Sequence, residues 1–231
     1  MLPKYQLKFK TFELPSGKKI DLTRMTIKIK KELLLLSEQE ENKLKIIEKL
    51  VKECSNKDTS INKLSLADVF FAFFQIIILS EGNEFEFKFK CLECGKENEE
   101  IKINLTEALK VKEFTGKNLQ KIDEDLYIQF QPLNFYDYMK IKEKYSTIVE
   151  RKYYELLYSI KAIKYEGKVF KDFSIKEIEE FIDSLPSDLY ELILLKYEEV
   201  RDKVYIDYIL KCKFCNKEFK LYVEDIDDFF V

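Results

Sequence analysis

The fold of this chain is decided by two cysteine hooks, Cys91-Leu92-Glu93-Cys94-Gly95-Lys96 and Cys212-Lys213-Phe214-Cys215-Asn216-Lys217. In each hook two residues separate the cysteines, so both thiols of a tight turn can point at one metal ion. Gly95 and Asn216 stand where such a turn needs a positive φ, which Gly adopts freely and Asn tolerates. Because four thiolates are a ligand set of structural Zn²⁺, we predict that Cys91, Cys94, Cys212 and Cys215 bind one ion.

The residues on both sides of each hook alternate between apolar and polar side chains. Residues 85–90 and 100–105 flank the first hook, and residues 204–210 and 218–223 flank the second. This period of two, in aromatic and β-branched residues, predicts strands. The sequence therefore predicts two strand–knuckle–strand hairpins that together form a zinc-ribbon-like β unit.

The cysteines could instead form disulfides or bind a metal other than zinc. Residues 1–5 lack the apolar core of a signal peptide, which favours a reducing compartment, where paired hooks bind metal rather than form disulfides. Iron or an iron–sulfur cluster remains an alternative to zinc. Cys54 lies alone on a helical pattern and is predicted to be an ordinary buried thiol.

The composition argues against most catalytic chemistry. The chain has no histidine, which excludes serine–histidine triads, cysteine–histidine pairs and imidazole acid–base catalysis. It has 5 glycines and neither of the common glycine-rich phosphate loops. We therefore predict no catalytic or cofactor-binding residues, although an enzyme with a structural zinc and a carboxylate pair remains an alternative.

The charge is nearly balanced, with 40 Lys and Arg against 43 Asp and Glu and a formal net charge of −3. Lysine and glutamate interleave along the helical segments, as on solvated helix faces, whereas nucleic-acid-binding proteins concentrate basic residues on one face. The sequence therefore predicts no nucleic-acid partner, with a nucleic-acid-binding zinc ribbon as the alternative function.

The first part of the chain, residues 1–83, is predicted to be a hairpin followed by helices. The predicted elements are strands at residues 5–13 and 18–22 and helices near residues 26–36 and 40–54. Ser65-Leu66-Ala67-Asp68 then signals a helix start, and Gly82 stands where that helix should stop. The apolar run 69–79 is too short to span a membrane. We expect a buried core helix, with contact to a partner subunit as the alternative.

The segment between the hooks, residues 106–202, is predicted to be a mainly helical insertion. Its predicted elements are a helix near 106–110, a strand at 126–130, helices at about 134–148 and 150–163, and a β turn at 165–170. Two more helices follow. The first runs from Ser174 to about 184, and the second is capped by Ser187 and runs to about 201. The whole chain is thus predicted to be α+β, with residues 84–105 and 203–231 forming the composite zinc-ribbon-like unit.

This order of elements resembles the small cysteine-hook proteins of contractile-tailed bacteriophages, the T-even baseplate hub family. The resemblance covers residues 12–231, and the hooks are its only specific motif. The other matching features are Leu14-Pro15-Ser16-Gly17-Lys18, Leu22-Thr23, Leu66-Ala67-Asp68, the strand–knuckle–strand segment 85–105, Gln131-Pro132-Leu133 and the closing Asp228-Phe229-Phe230. Asn216 departs from the glycine common at that position of the second hook.

The resemblance implies a structural or assembly component of a phage tail baseplate, near the tail-tube hub and without enzymatic activity. It implies other baseplate and tail-tube hub proteins as partners in a larger symmetric assembly, within a virion that is assembled in the host bacterial cytoplasm. Residues 227–231 end in two Phe rings and a Val. We expect this segment either to dock on a neighbouring tail protein or to fold back on its own domain.

Overall fold

A computed structural model describes residues 5–38, 42–56 and 59–224 of the chain. The fold is α+β, as predicted, and its strands form several small sheets. The strands are β1 (Lys10–Glu13), β2 (Lys19–Leu22), β3 (Glu84–Lys90), β4 (Glu97–Asn104), β5 (Leu109–Lys112), β6 (Gln120–Lys121), β7 (Leu126–Phe130), β8 (Ile160–Tyr165), β9 (Lys168–Phe170), β10 (Lys203–Lys211) and β11 (Glu218–Val223). The helices are α1 (Ile27–Glu38), α2 (Lys43–Cys54), α3 (Leu66–Glu81), α4 (Leu105–Ala108), α5 (Phe135–Lys144), α6 (Ile148–Tyr158), α7 (Ile175–Asp183) and α8 (Ser187–Val200).

The described residues divide into two compact units. Unit 1 takes its residues from Met1–Ile61, Asp68–Val111 and Val204–Val231, and unit 2 from Asn62–Ala67 and Lys112–Lys203. The predicted division into three parts remains a prediction.

Unit 1 begins with the predicted hairpin, in which β1 and β2 pair antiparallel. The Leu14 amide donates to the Lys18 carbonyl at 2.7 Å, and Gly17 has a φ of 79°. The turn therefore needs glycine, because a side chain there would be strained. The prediction that the first strand begins at residue 5 is wrong, since β1 starts at Lys10.

The apolar helix α3 is a core helix, as the sequence predicts. Val69, Ala72 and Ile76 have no exposed surface, and every residue of the run 69–79 is buried or half-buried. The Gly82 amide donates to the Ile78 carbonyl at 3.1 Å with Gly82 at a φ of 95°, which ends the helix as expected. No helix among the described residues is both long and apolar enough to cross a membrane.

Unit 2 is built on an antiparallel sheet with the strand order β6-β7-β8-β9. Its core joins this sheet to α6, α7 and α8 through fully or nearly buried side chains. Among these side chains are Ile128 and Phe130 of the sheet, Leu156 of α6, Ile178 of α7 and Ile193 of α8. The predicted turn at 165–170 is confirmed as the β8–β9 hairpin, in which Glu166 and Gly167 have φ values of 47° and 78°.

The prediction of a helix at 150–163 is wrong at both ends. The Thr147 side chain accepts a hydrogen bond from the Glu150 amide, so α6 starts early at Ile148. After Ser159 the chain becomes β8, a central strand between β7 and β9. Ile160 and Ala162 are buried while Lys161 is exposed, which is the alternation of a strand. The prediction missed this strand because it extended the helical pattern of the preceding residues.

Three other predicted helix boundaries also need correction. Helix α4 ends at Ala108, because Leu109 is extended and begins β5. Helix α5 stops at Lys144 rather than near 148. Ser187 does not cap α8: the N-cap is Pro186, and Ser187 is the first helical residue.

Candidate metal centre

The first hook is the turn of the β3–β4 hairpin in unit 1. The Cys91 amide donates to the Lys96 carbonyl at 2.9 Å, which closes the hairpin, and the Gly95 amide donates back to the Cys91 carbonyl at 2.9 Å. Gly95 has a φ of 69°. The Cys94 amide lies 3.5 Å from the Cys91 sulfur, so the turn aims a backbone donor at a sulfur.

The second hook repeats this geometry between β10 and β11, also in unit 1. The Cys212 amide donates to the Lys217 carbonyl at 2.9 Å, and the Asn216 amide donates to the Cys212 carbonyl at 3.0 Å. Asn216 has a φ of 60°, so it occupies the position of Gly95, as predicted. The two hooks therefore have one backbone fold despite different sequences.

The structure brings together the four cysteines that the sequence singled out. The Cys91 and Cys215 sulfurs lie 3.6 Å apart, and the Cys94 and Cys212 sulfurs lie 3.7 Å apart. All four sulfurs lie within 4.8 Å of one another. A tetrahedral ion with bonds of about 2.3 Å needs sulfurs about 3.8 Å apart. The four residues could therefore hold one metal ion, and their role as its ligands remains a prediction.

Asn98 links the two hooks and was not identified from the sequence. Its side chain is 1 % exposed although it lies on β4, next to the first hook. Its carbonyl oxygen accepts from the Lys213 amide at 2.8 Å, and its amide group lies 3.5 Å from the Cys212 sulfur. The same amide group donates to the Lys96 carbonyl at 3.3 Å. Asn98, a buried side chain of the first hairpin, thus orients both the Lys213 amide and the Cys212 sulfur of the second hook.

Further contacts join the hairpins around the sulfurs. The rings of Phe89 and Phe219 meet edge to face, with centroids 6.0 Å apart. The Lys213 ammonium donates to the Glu99 carbonyl at 2.9 Å. Because these contacts do not involve the sulfurs, the two hairpins have packing contacts that do not depend on an ion.

The chain as a whole was compared with known proteins. A model of the T4 bacteriophage base plate protein family matches residues 5–231, which is nearly the whole chain. The chain belongs to this family. The resemblance drawn from the order of elements is thereby confirmed for a T4-type phage baseplate protein. No curated protein and no solved structure matches the chain.

The sulfurs of this baseplate protein differ in their affinity for protons. Desolvation raises the pKa of Cys212, but hydrogen bonds from the Cys215 and Phe214 amides and from Asn98 outweigh it and lower the pKa to about 6. The Cys212 thiolate is therefore stabilised by donors already in place.

Cys215 is shifted in the opposite direction. A backbone hydrogen bond at Lys217 lowers its pKa, but desolvation and the neighbouring sulfurs of Cys212, Cys91 and Cys94 raise it to about 12. Like charges this close cannot all be ionised unless a cation compensates them. A cation bound among the four sulfurs would favour the thiolate form of Cys215.

Cys54 of the baseplate protein is buried, as predicted, at the end of α2. Burial, and secondarily the charge of Glu53, raise the pKa of its thiol to about 12. Such a thiol is unreactive and fills space in the core.

Proposed function

We propose that this protein is a non-catalytic structural subunit of the phage baseplate, in which one Zn²⁺ bound by Cys91, Cys94, Cys212 and Cys215 joins two distant hairpins into a zinc-ribbon-like unit. The observation that carries the proposal is the four-sulfur group in a chain of the baseplate family. A closed set of four thiolates suits a structural ion because it leaves no position for a reacting water. Iron in the same site is the alternative that metal analysis distinguishes.

We place the subunit at the tail-tube hub, with other baseplate and tail-tube hub proteins as its neighbours in a symmetric assembly. Large apolar side chains at the surface are available for burial against such neighbours: Leu92 is 89 % exposed, Val149 79 % and Ile27 77 %. Assembly in the host cytoplasm, where thiols stay reduced, agrees with a thiolate metal site.

The surroundings of the hooks favour a protein partner over nucleic acid. Several of the lysines there are paired with carboxylates rather than gathered into a basic face. The pairs are Lys88–Glu99 at 3.7 Å, Lys102–Glu84 at 3.1 Å, Lys217–Glu93 at 3.6 Å and Lys220–Asp207 at 3.2 Å. Lysines that are already paired with carboxylates neutralise few phosphates, so a nucleic acid would release few counterions on binding here and gain little affinity.

The chain end, residues 227–231, lies outside the described residues and remains a proposed contact with a neighbouring tail protein. If its two Phe side chains are buried there, transfer from water contributes at roughly 25 cal/mol per Å², less the costs of association. We expect truncation after Asp225 to leave a folded, metal-bound protein that fails to join the tail.

The test is a complementation experiment in a phage that lacks this gene. Wild-type protein, Cys212→Ser and the truncated chain are supplied separately, and purified particles and tail intermediates are inventoried by mass spectrometry. We expect the wild-type chain in tail intermediates and no infectious particles with the truncated chain. Absence of the wild-type chain from every tail intermediate would contradict the assembly role. Infectious particles formed with the truncated chain would contradict only the proposed contact of residues 227–231.

A further inference from the structure

Unit 2 carries an open groove of about 760 Å³ at one end of its sheet. Its lining includes Leu126, Ile163 and Phe170 from the sheet, Phe181 from α7 and Leu189 from α8. Phe170 is 48 % exposed and Tyr165, also in the lining, is 40 % exposed. Such large apolar side chains, left partly in water around a concavity, are typical of a protein-binding site.

The rim of this groove is acidic. Asp123 and Asp125, in the β6–β7 turn, and Asp172, after β9, are all exposed and contribute to the lining. Among the described residues of the lining, Lys171 is the one with a basic side chain. Glu177 also lies there, but its carboxylate is already hydrogen-bonded to Ser174 at the start of α7. Three carboxylates of this apolar groove are therefore available to a cationic ligand.

We propose that this groove binds a segment of a neighbouring baseplate protein that inserts bulky apolar side chains between the sheet and α7 and places Lys or Arg beside Asp123, Asp125 and Asp172. The occupant follows from charge complementarity with the rim. Its identity as a baseplate protein rests on the proposed function, whereas its chemistry rests on the groove alone.

The C-terminal segment of the chain is a poor occupant. Its last residues, Asp225-Ile226-Asp227-Asp228-Phe229-Phe230-Val231, have apolar side chains but carry three carboxylates, which the acidic rim would repel. A second copy of the chain is the other occupant that the experiment must distinguish.

The probe is a set of overlapping synthetic peptides that covers the other baseplate and tail-tube proteins of the same phage, tested against the purified full-length chain. We expect the binding peptides to combine Lys or Arg with bulky apolar residues, and to lose binding when their basic residues are replaced by Glu. Affinity, measured by fluorescence anisotropy, should fall as salt rises. A set without any binder, or one whose charge-reversed peptides bind equally well, overturns the proposal.

Two variants locate the binding. The triple variant Asp123→Asn, Asp125→Asn, Asp172→Asn should weaken peptide binding roughly tenfold. The Phe170→Ala variant should weaken it by a similar factor because an aromatic anchor is lost. The matched controls replace exposed residues of unit 2 outside the groove: the triple variant Glu113→Gln, Glu143→Gln, Glu191→Gln, and Leu195→Ala. Equal losses in variants and controls overturn the assignment to this groove.

Sedimentation of the free chain tests the second-copy alternative. A wild-type dimer that Phe170→Ala converts to a monomer would show that the groove is a contact between copies, and would overturn the proposal. If peptides bind but the chain is absent from tail intermediates, the groove chemistry stands and the baseplate role fails. If the chain joins tails and no peptide binds, the groove proposal fails alone.

Discussion

Replacing Asn98 by Ala should destabilise unit 1 although it removes no sulfur. The side chain is buried, and it connects the first hairpin to the Lys213 amide and the Cys212 sulfur of the second hook. The substitution removes these two contacts together with the hydrogen bond to the Lys96 carbonyl. It also leaves the Lys213 amide without this acceptor.

The magnitude follows from these contacts. A hydrogen bond contributes about 1 kcal/mol net, and a donor left without its acceptor costs about 1–3 kcal/mol. The contact to sulfur is long and weak, and Lys213 is exposed, so water replaces part of the lost bonding. We therefore expect the free energy of unfolding of unit 1 to fall by about 2–3 kcal/mol.

The assay is urea unfolding of the metal-loaded chain, monitored by hydrogen exchange. The exchange is read from the proteolytic fragments that cover β3–β4 and β10–β11. The matched control is Asn118→Ala, an exposed asparagine in a loop of unit 2, which should change stability by less than about 0.5 kcal/mol. If the Asn98 and Asn118 variants unfold at the same urea concentration, Asn98 does not hold the hooks together.

Three further predictions concern other parts of the chain. Cys212→Ser should lower exchange protection in the hook hairpins while helical circular dichroism persists, because the ion closes a long loop between the hooks whereas the helices have their own apolar contacts; loss of the helical signal would contradict this. Tyr197→Phe should lower the stability of unit 2 by about 1 kcal/mol in urea, because the buried hydroxyls of Tyr197 and Ser159 are hydrogen-bonded at 3.0 Å; an unchanged midpoint would refute that role. Hydrogen bonds from the Ser174 backbone, then its side chain, lower the pKa of Glu177. The charged form thus stabilises the fold, and this stability is lost as the pH falls through and below the ordinary titration range of a glutamate carboxyl. Melting temperatures of Glu177→Gln should depend less on pH over that range than those of the wild type, and equal slopes would contradict the assignment.

The hooks and their strands were predictable because their signals are local. The Cys-x-x-Cys spacing, the positive-φ residues Gly95 and Asn216 and the alternating flanks each act within a few residues. The proximity of the four sulfurs also followed, since structural zinc needs four ligands and each hook supplies two.

The remaining features depend on contacts between distant residues. Strand β8 continues directly from α6, and only its pairing with β7 and β9 makes it a strand. Strand β5 joins β10 from far along the chain. Asn98 carried no local signal, since it stands in the polar run Glu97-Asn98-Glu99-Glu100 outside the predicted strand, and the partners that explain its burial lie in the second hook.

X-ray absorption at the zinc edge, combined with elemental analysis of freshly purified protein, is the most direct measurement of the metal site. One zinc per chain with four sulfur neighbours at about 2.3 Å is the predicted result. Protein without a metal, or with a disulfide between Cys91 and Cys94 or between Cys212 and Cys215, would contradict it.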